Sequence, residues 1–287
     1  MSEIARDAGV PGATGEIARD AGVPGATGEF ARTLRGFRLQ SRVLQALLLR
    51  EMQTRFGRNQ LGFLWLFLEP LMLAGAIATI KWVLDAHHYP GIPVFVFALA
   101  GYLPYFTFRA IISRAPGTLH ANMTLLYHSQ IKLLDVVLAR HMLELGAIIT
   151  VMSFIVGGVA LWAEMPPNSI PVLLLGLLLL FLYAHGLGLL AAAAAAASEV
   201  AERLIHPLVY LSLPVSGALF PLHSLPPSLR EIMLWNPQAS MHEMVREGFF
   251  GNLLPSYFDV PYTAFCVAVV NLLGLAALRA VRPRLEF

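Results

Sequence analysis

The chain has 287 residues, 57% of them hydrophobic and 13% charged, about half the charged share of an ordinary soluble domain. With a mean hydropathy of +0.65, this composition excludes a soluble globular protein and requires several apolar stretches of about 20 residues, the length of a helix crossing a ~30 Å hydrocarbon core. The net charge of +2 is uninformative as a total, because in a membrane protein the placement of basic residues carries the information. The single cysteine, Cys266, excludes an internal disulfide and a CxxC metal site.

In chain order, EIARDAGVPGATG at 3–15 recurs letter for letter at 16–28, and a degenerate third copy begins at Glu29. This period fits none of the common solenoid repeats. Its Val-Pro-Gly and Thr-Gly breakers and scarcity of large apolar residues predict a disordered, duplicated tail over 1–36. A basic start followed by an apolar core is lacking, so the tail is not read as a signal peptide, and the first apolar span is expected to target the chain to the membrane.

From Phe37 the pattern changes. Val43, Leu44, Leu47, Leu48 and Met52 recur at helical spacing, with Arg42, Arg50 and Gln53 on the other side. This predicts an amphipathic helix over 37–60 lying in the membrane interface, with Glu51 and Arg55 spaced to pair at i,i+4. A plain anchor and a partner-docking helix are both compatible with it.

Six apolar segments follow, at 61–83, 94–115, 136–162, 169–197, 204–222 and 260–281. They predict an all-α polytopic membrane protein with a six-span domain over 61–287. The fifth is the least regular, since Pro207, Pro214 and Pro221 each remove a backbone hydrogen bond, and such breaks survive in a membrane only where protein or a wet cavity covers them. Seventeen of the twenty basic residues fall before Leu61, between Arg109 and Arg140, at Arg203, or after Arg279. By the positive-inside rule both termini are then cytoplasmic, and 85–93, 163–168 and 223–259 face outward. The last outer segment carries amphipathic stretches at Pro227–Trp235 and Ser240–Phe250, joined by an Asn236-Pro237 turn. It predicts short re-entrant helices closing an outer gate, with Arg230, Glu243, Arg246, Phe249 and Phe250 as the gate residues. Arg246 stands one turn from Glu243 and can pair with it or reach an anionic headgroup or glycan. A surface ion pair is the plain alternative.

No GxxxxGK[ST] occurs, and the two lysines, Lys81 and Lys132, follow isoleucines, so the chain has no P-loop for ATP. There is no DxD or HExxH. Gly186-Leu187-Gly188 sits inside an apolar helix without a preceding strand and reads as packing, not a dinucleotide fingerprint. The adjacent His87 and His88 have no third ligand placed near them, and no metal site is expected. The six segments show no internal duplication of the kind ion-coupled carriers use. Ionisable residues within the spans are few: Glu69, Arg109 and His185. Such residues are functional candidates by default, although Glu69 could instead serve the backbone freed by Pro70.

Three stretches carry a resemblance: LLLREMQTRFGRNQLGFLWLFLEP from Leu47 to Pro70, NMTLLYHSQIKLLDVVLAR at 122–140, and SGALFPLHSLPPSLREIMLWNPQASMHEMVREGFFG at 216–251. Their order and spacing resemble the membrane subunit of ABC-2 type exporters, nearest the permease of Gram-negative capsular polysaccharide exporters, with O-antigen and teichoic acid permeases as relatives. The resemblance implies a homodimer assembled with two cytoplasmic ATPase subunits that bind ATP and Mg, while this chain holds no cofactor. It also implies a periplasmic co-polymerase, an outer-membrane export protein and a lipid-linked polysaccharide as substrate, with no nucleic acid partner. A membrane-embedded enzyme acting on lipid-linked sugars is the alternative from another class; it would need a metal or carboxylate constellation.

On that reading two further sets of residues stand out. Sugar rings stack on aromatic faces and an anionic glycan attracts guanidinium groups, which makes Trp65, Glu69, Tyr102, Tyr105, Phe106 and Arg109 the candidate substrate path. The 122–135 connection, with its apolar Leu125-Leu126-Tyr127 knob and Lys132, suits a helix seated in an ATPase cleft. Together with Arg50 and Arg55 of the preceding helix it forms the candidate coupling surface.

Overall fold

The computed structural model describes residues 26–56, 61–84, 89–122, 131–162 and 164–285. Among these the chain is all-helical and contains no strand. Helix α1 runs Ala26–Phe56 and straddles two compact units, one ending at Arg42 and one beginning at Val43. The helix starts well before Phe37, so the expected tail is helical over its last residues. Beyond Gly28 the repeat loses its Val-Pro-Gly breaker, and Ala31, Arg32, Leu34 and Arg35 are strong helix formers. The rest of the tail, residues 1–25, lies outside the described residues.

The second unit holds the remaining helices: α2 Leu61–Val83, α3 Val94–Arg114, α4 Gly117–Ala121, α5 Leu133–Trp162, α6 Ile170–Ala197, α7 Glu199–Leu211, α8 Pro227–Leu234, α9 Pro237–Phe250 and α10 Val260–Leu285. Four of them, α3, α5, α6 and α10, are long and apolar enough to cross a membrane. Helix α2 has 23 residues, with Glu69 and Lys81 its charged positions, and at ~1.5 Å per residue it extends about 35 Å.

The expected fifth span is not one helix. Ser198 adopts an extended conformation between α6 and α7, and Glu199 and Glu202 sit in the first turn of α7, where the helix dipole favours acids. The 13 residues of α7 reach only about 20 Å. Turns follow from Ser212, and a 3-10 turn at Leu222–Ser224 comes after Pro221. Pro207 is accommodated inside α7, whereas Pro214 falls where the helix has already ended.

Helix α3 is the centre of the bundle. Its apolar window is 89% buried, against 22% for α5 and α10, and it packs on α2, α5, α6, α7 and α9. The outer faces of α5 and α10 leave Ile149, Phe154, Phe265, Leu272 and Leu273 exposed, the all-round apolarity of helices solvated by lipid. Helices α6 and α10 approach through small residues, as membrane helices do in the absence of a hydrophobic drive between them. A Cβ on Gly186 would lie 2.9 Å from the Asn271 nitrogen, and one on Gly274 would lie 2.7 Å from the Gly186 oxygen. The Gly186-Leu187-Gly188 sequence is therefore packing.

The segment between α7 and α10 is not a solvated loop. Asn236 caps α9 by accepting from the Gln238 N–H at 3.1 Å, with Pro237 at the first helical position. Within α9 only Pro237, Glu247 and Phe249 are less than buried. The helix packs against α3, α6 and α10.

Candidate functional site

Tyr102, Tyr105, Phe106 and Arg109 lie at i, i+3, i+4 and i+7 on α3, which places them on one stripe. Tyr102 meets Tyr105 at 6.1 Å and Phe106 at 6.4 Å between ring centroids. The Arg109 guanidinium lies 5.1 Å from the Phe106 ring and donates to a Glu69 carboxylate oxygen on α2. Its other terminal nitrogen donates to the Tyr210 hydroxyl at 2.8 Å. Glu69 therefore serves Arg109 rather than the backbone freed by Pro70.

The members of this cluster are not equivalent. Tyr105 is 1% exposed, and its hydroxyl donates to the Val209 carbonyl at 2.6 Å. That carbonyl also accepts from the Ser212 hydroxyl at 2.7 Å, so side chains take over where α7 runs out. Tyr102 and Phe106 are each 4% exposed and, with Tyr105, form the wall behind the charged pair. Arg109 and Glu69 retain 14% and 27% side-chain exposure, and Tyr210 is 57% exposed. Trp65 stands one turn before Glu69 on α2 and is 56% exposed. The open side thus offers a held guanidinium, a phenol and an indole. Sequence reasoning did not find Tyr210; its signal was a polar aromatic in the proline-broken segment.

Along α1, Leu47 packs with Val136 and Ala139 of α5, joined by Val43, Leu44, Leu48 and Ile131. Arg50 donates to the Asn122 side-chain oxygen at 2.6 Å, and Glu51 lies 3.6 Å from the Arg140 Nε. Helix α1 is thus tied to both flanks of the 122–135 connection. Glu51 faces Arg140, and the side chain of Arg55, its expected partner, lies outside the described residues, as do Leu125, Leu126, Tyr127, His87 and His88. The Lys132 side chain is exposed, and its backbone N–H donates to Asp135 Oδ2 at 3.0 Å, capping α5. Arg114 pairs with the buried Glu144 at 2.5 Å. Deeper in the bundle, His185 meets His141 with their Nδ1 atoms 2.8 Å apart, so one ring donates and the other accepts.

Around α9, Arg246 and Glu243 pair at 3.0 Å, each 1% exposed. This is a buried pair, not a surface one. Arg246 also donates to the Gly217 and Ala218 carbonyls at 2.6 and 2.8 Å and lies 5.3 Å from the Phe97 ring. Glu243 accepts from the Leu222 and Tyr257 N–H groups, both at 3.2 Å. The network fastens α9, α3, the turns after α7 and the irregular stretch before α10 to one another. Gly101 permits this closeness, because a Cβ there would lie 2.0 Å from the Ala218 oxygen. Phe250 stacks on Phe97 at 6.3 Å and contacts Phe249, while Arg230 lies over the Tyr257 ring at 4.6 Å.

The sequence is similar to known proteins over most of its length. The family model described as ABC-2 type transporter matches residues 42–250. The capsule polysaccharide export inner-membrane protein CtrC of Neisseria meningitidis serogroup B is 38% identical over 240 residues, covering 83% of this chain and 90% of that protein. The capsule polysaccharide export inner-membrane protein BexB of Haemophilus influenzae is 33% identical, over 86% of this chain and 94% of its own. The polysialic acid transport protein KpsM of Escherichia coli is 31% identical, over 85% and 95%. With a family match running from the second half of α1 to the end of α9, and relatives aligned over most of their own length, the chain belongs to the ABC-2 type transporter family.

Proposed function

We propose that this chain is the membrane-spanning subunit of an ATP-driven exporter that moves a lipid-linked capsular polysaccharide outward across the inner membrane. The observation that carries the reading is the near full-length similarity to capsule polysaccharide export proteins in a chain without a P-loop. Energy must then come from a partner, and two cytoplasmic ATPase subunits binding ATP and Mg fill that role. The basic distribution supports both termini facing the cytoplasm, which puts the Arg50–Asn122 contact on the ATPase side. Motion of the 122–135 connection would pass through it to α1 and through Leu47 to α5.

The six crossings are α2, α3, α5, α6, α10 and the broken stretch from α7 to Leu222, the last supported in the bilayer by the Tyr105 and Arg246 hydrogen bonds to its carbonyls. Two copies of the chain enclose the path, with Arg109, Glu69 and Tyr210 on its wall, Trp65 at its inner approach, and Tyr102, Tyr105 and Phe106 as backing. Helices α8 and α9 dip into the outer leaflet as the outer gate, with Arg230, Phe249 and Phe250 beside the buried Glu243–Arg246 clamp. A periplasmic co-polymerase and an outer-membrane export protein carry the glycan onward. Deleting the chain in its host tests the reading: capsular glycan should accumulate in the cytoplasm, and a cell surface that keeps its full capsule would refute it.

A further inference from the structure

The outer end of the molecule holds a cleft apart from the α2–α3 cluster. It has a volume of about 450 Å³ and is formed where α8 ends and α10 begins, with Trp235, Ser256, Tyr257, Asp259 and Tyr262 on its walls. This size lies within the ~300–1,000 Å³ range of small-ligand sites. We infer that the cleft is a saccharide subsite, in which an uncharged pyranose ring of the departing glycan stacks on Trp235 and donates its hydroxyl hydrogens to Asp259. The inference rests on the glycan-export reading and on the outward orientation of this end.

Its aromatic walls are held, and Trp235 stays open. The Trp235 ring is 77% exposed, yet its backbone carbonyl accepts from the Tyr262 hydroxyl at 2.8 Å, and the two rings meet edge to face at 6.4 Å. Tyr257 is fixed by its N–H to Glu243 Oε2 and by the Arg230 guanidinium stacked over its ring. The rigid platform is therefore an extension of the buried Glu243–Arg246 clamp.

The polar side of the cleft selects the ligand class. Asp259 is exposed and caps α10, its Oδ1 accepting from the Tyr262 N–H at 2.9 Å, and Ser256 supplies a hydroxyl at the same mouth. An acyl chain would have to strip water from the exposed, charged Asp259 carboxylate and return no further hydrogen bond, which is unfavourable. A pyranose ring presents a C–H face to the indole and a rim of hydroxyl donors to the carboxylate, so both walls are satisfied at once. The negative charge on Asp259 opposes an anionic ring at this position, which makes the neutral units of the chain the matching ones.

Saturation-transfer NMR on the full chain in phosphatidylethanolamine/phosphatidylglycerol nanodiscs, with maltohexaose and chitotetraose as probes, tests the inference. Transfer above that of empty nanodiscs is expected for at least one probe. Trp235→Ala removes a mostly exposed ring and is expected to weaken binding about five- to tenfold. Asp259→Asn keeps a good helix cap and is expected to weaken it about fivefold. No transfer with either probe, or binding unchanged in both variants, overturns the subsite. Glycan export by the complete complex is measured alongside, so that a complex which exports while its cleft binds nothing overturns the subsite and leaves the parent reading standing.

Discussion

Replacing Arg246 by methionine is the perturbation whose consequence the structure specifies most fully. The change keeps an apolar stem beside Phe97 but removes three donated hydrogen bonds, to Glu243, Gly217 and Ala218. Glu243, 1% exposed, then keeps only its two backbone donors and is a buried carboxylate without a cation. Breaking such a pair costs about 3–5 kcal/mol, and each orphaned buried carbonyl adds about 1–3 kcal/mol before relaxation. A loss of at least about 4 kcal/mol is therefore expected. Glu243→Gln in the Arg246→Met background removes the stranded charge while retaining an acceptor, and is expected to recover about 2 kcal/mol, a coupling of the size seen for contacting residues. Reversible SDS-titration unfolding in mixed micelles measures all three variants. A single-variant loss below about 1 kcal/mol, with no recovery in the double variant, is the behaviour of a solvated surface pair and would refute the buried-clamp reasoning.

Three further outcomes are expected. Arg50→Ala, and separately Leu126→Ala with Tyr127→Ala, are expected to reduce export at least tenfold while membrane insertion and ATPase association persist, an effect of about 1.4 kcal/mol or more; normal export in both would remove the coupling assignment. Tyr105→Phe deletes the hydroxyl held by Val209 and is expected to destabilise the fold by about 1 kcal/mol, whereas Arg109→Ala is expected to lower export more than stability, and the reverse ranking on paired unfolding and export assays would contradict their placement as wall and path. Single cysteines across 225–255 in a Cys266→Ser background should label periodically with an impermeant thiol reagent, α9 being protected apart from its Glu247 and Phe249 side; uniform labelling would indicate a solvated loop.

The charged members of the α2–α3 cluster were legible because ionisable residues inside apolar runs are conspicuous and expensive, and Tyr105 and Phe106 lie within one turn of Arg109. Tyr210 was not, since it belongs to a segment whose prolines hid the end of α7, and its role arises from tertiary contact with Arg109. Helix α9 misleads for a related reason. Gln238, His242, Glu243 and Arg246 give it the composition of a surface helix, yet all four are buried: Glu243 and Arg246 satisfy each other and the neighbouring backbone, and the His242 ring meets the Gln238 carbonyl one turn back. The link between α1 and the 122–135 connection depends on Arg50 meeting Asn122 across 72 positions of sequence, a distance over which periodicity carries no signal. The early start of α1 is a local matter, in which the loss of one Pro-Gly breaker outweighed the appearance of a continuing repeat.

On the proposed function, this chain provides the membrane path and a separate subunit provides the energy. Its most direct test is translocation of a fluorescent lipid-linked capsular glycan in proteoliposomes carrying the chain with its ATPase partner, the partner alone, or the chain alone. ATP-dependent transfer is expected only when both are present, with no ATP hydrolysis by the pure chain and transfer abolished by Arg109→Ala. Vanadate-sensitive ATP hydrolysis by the pure chain, or equal transfer with the partner alone, would contradict it.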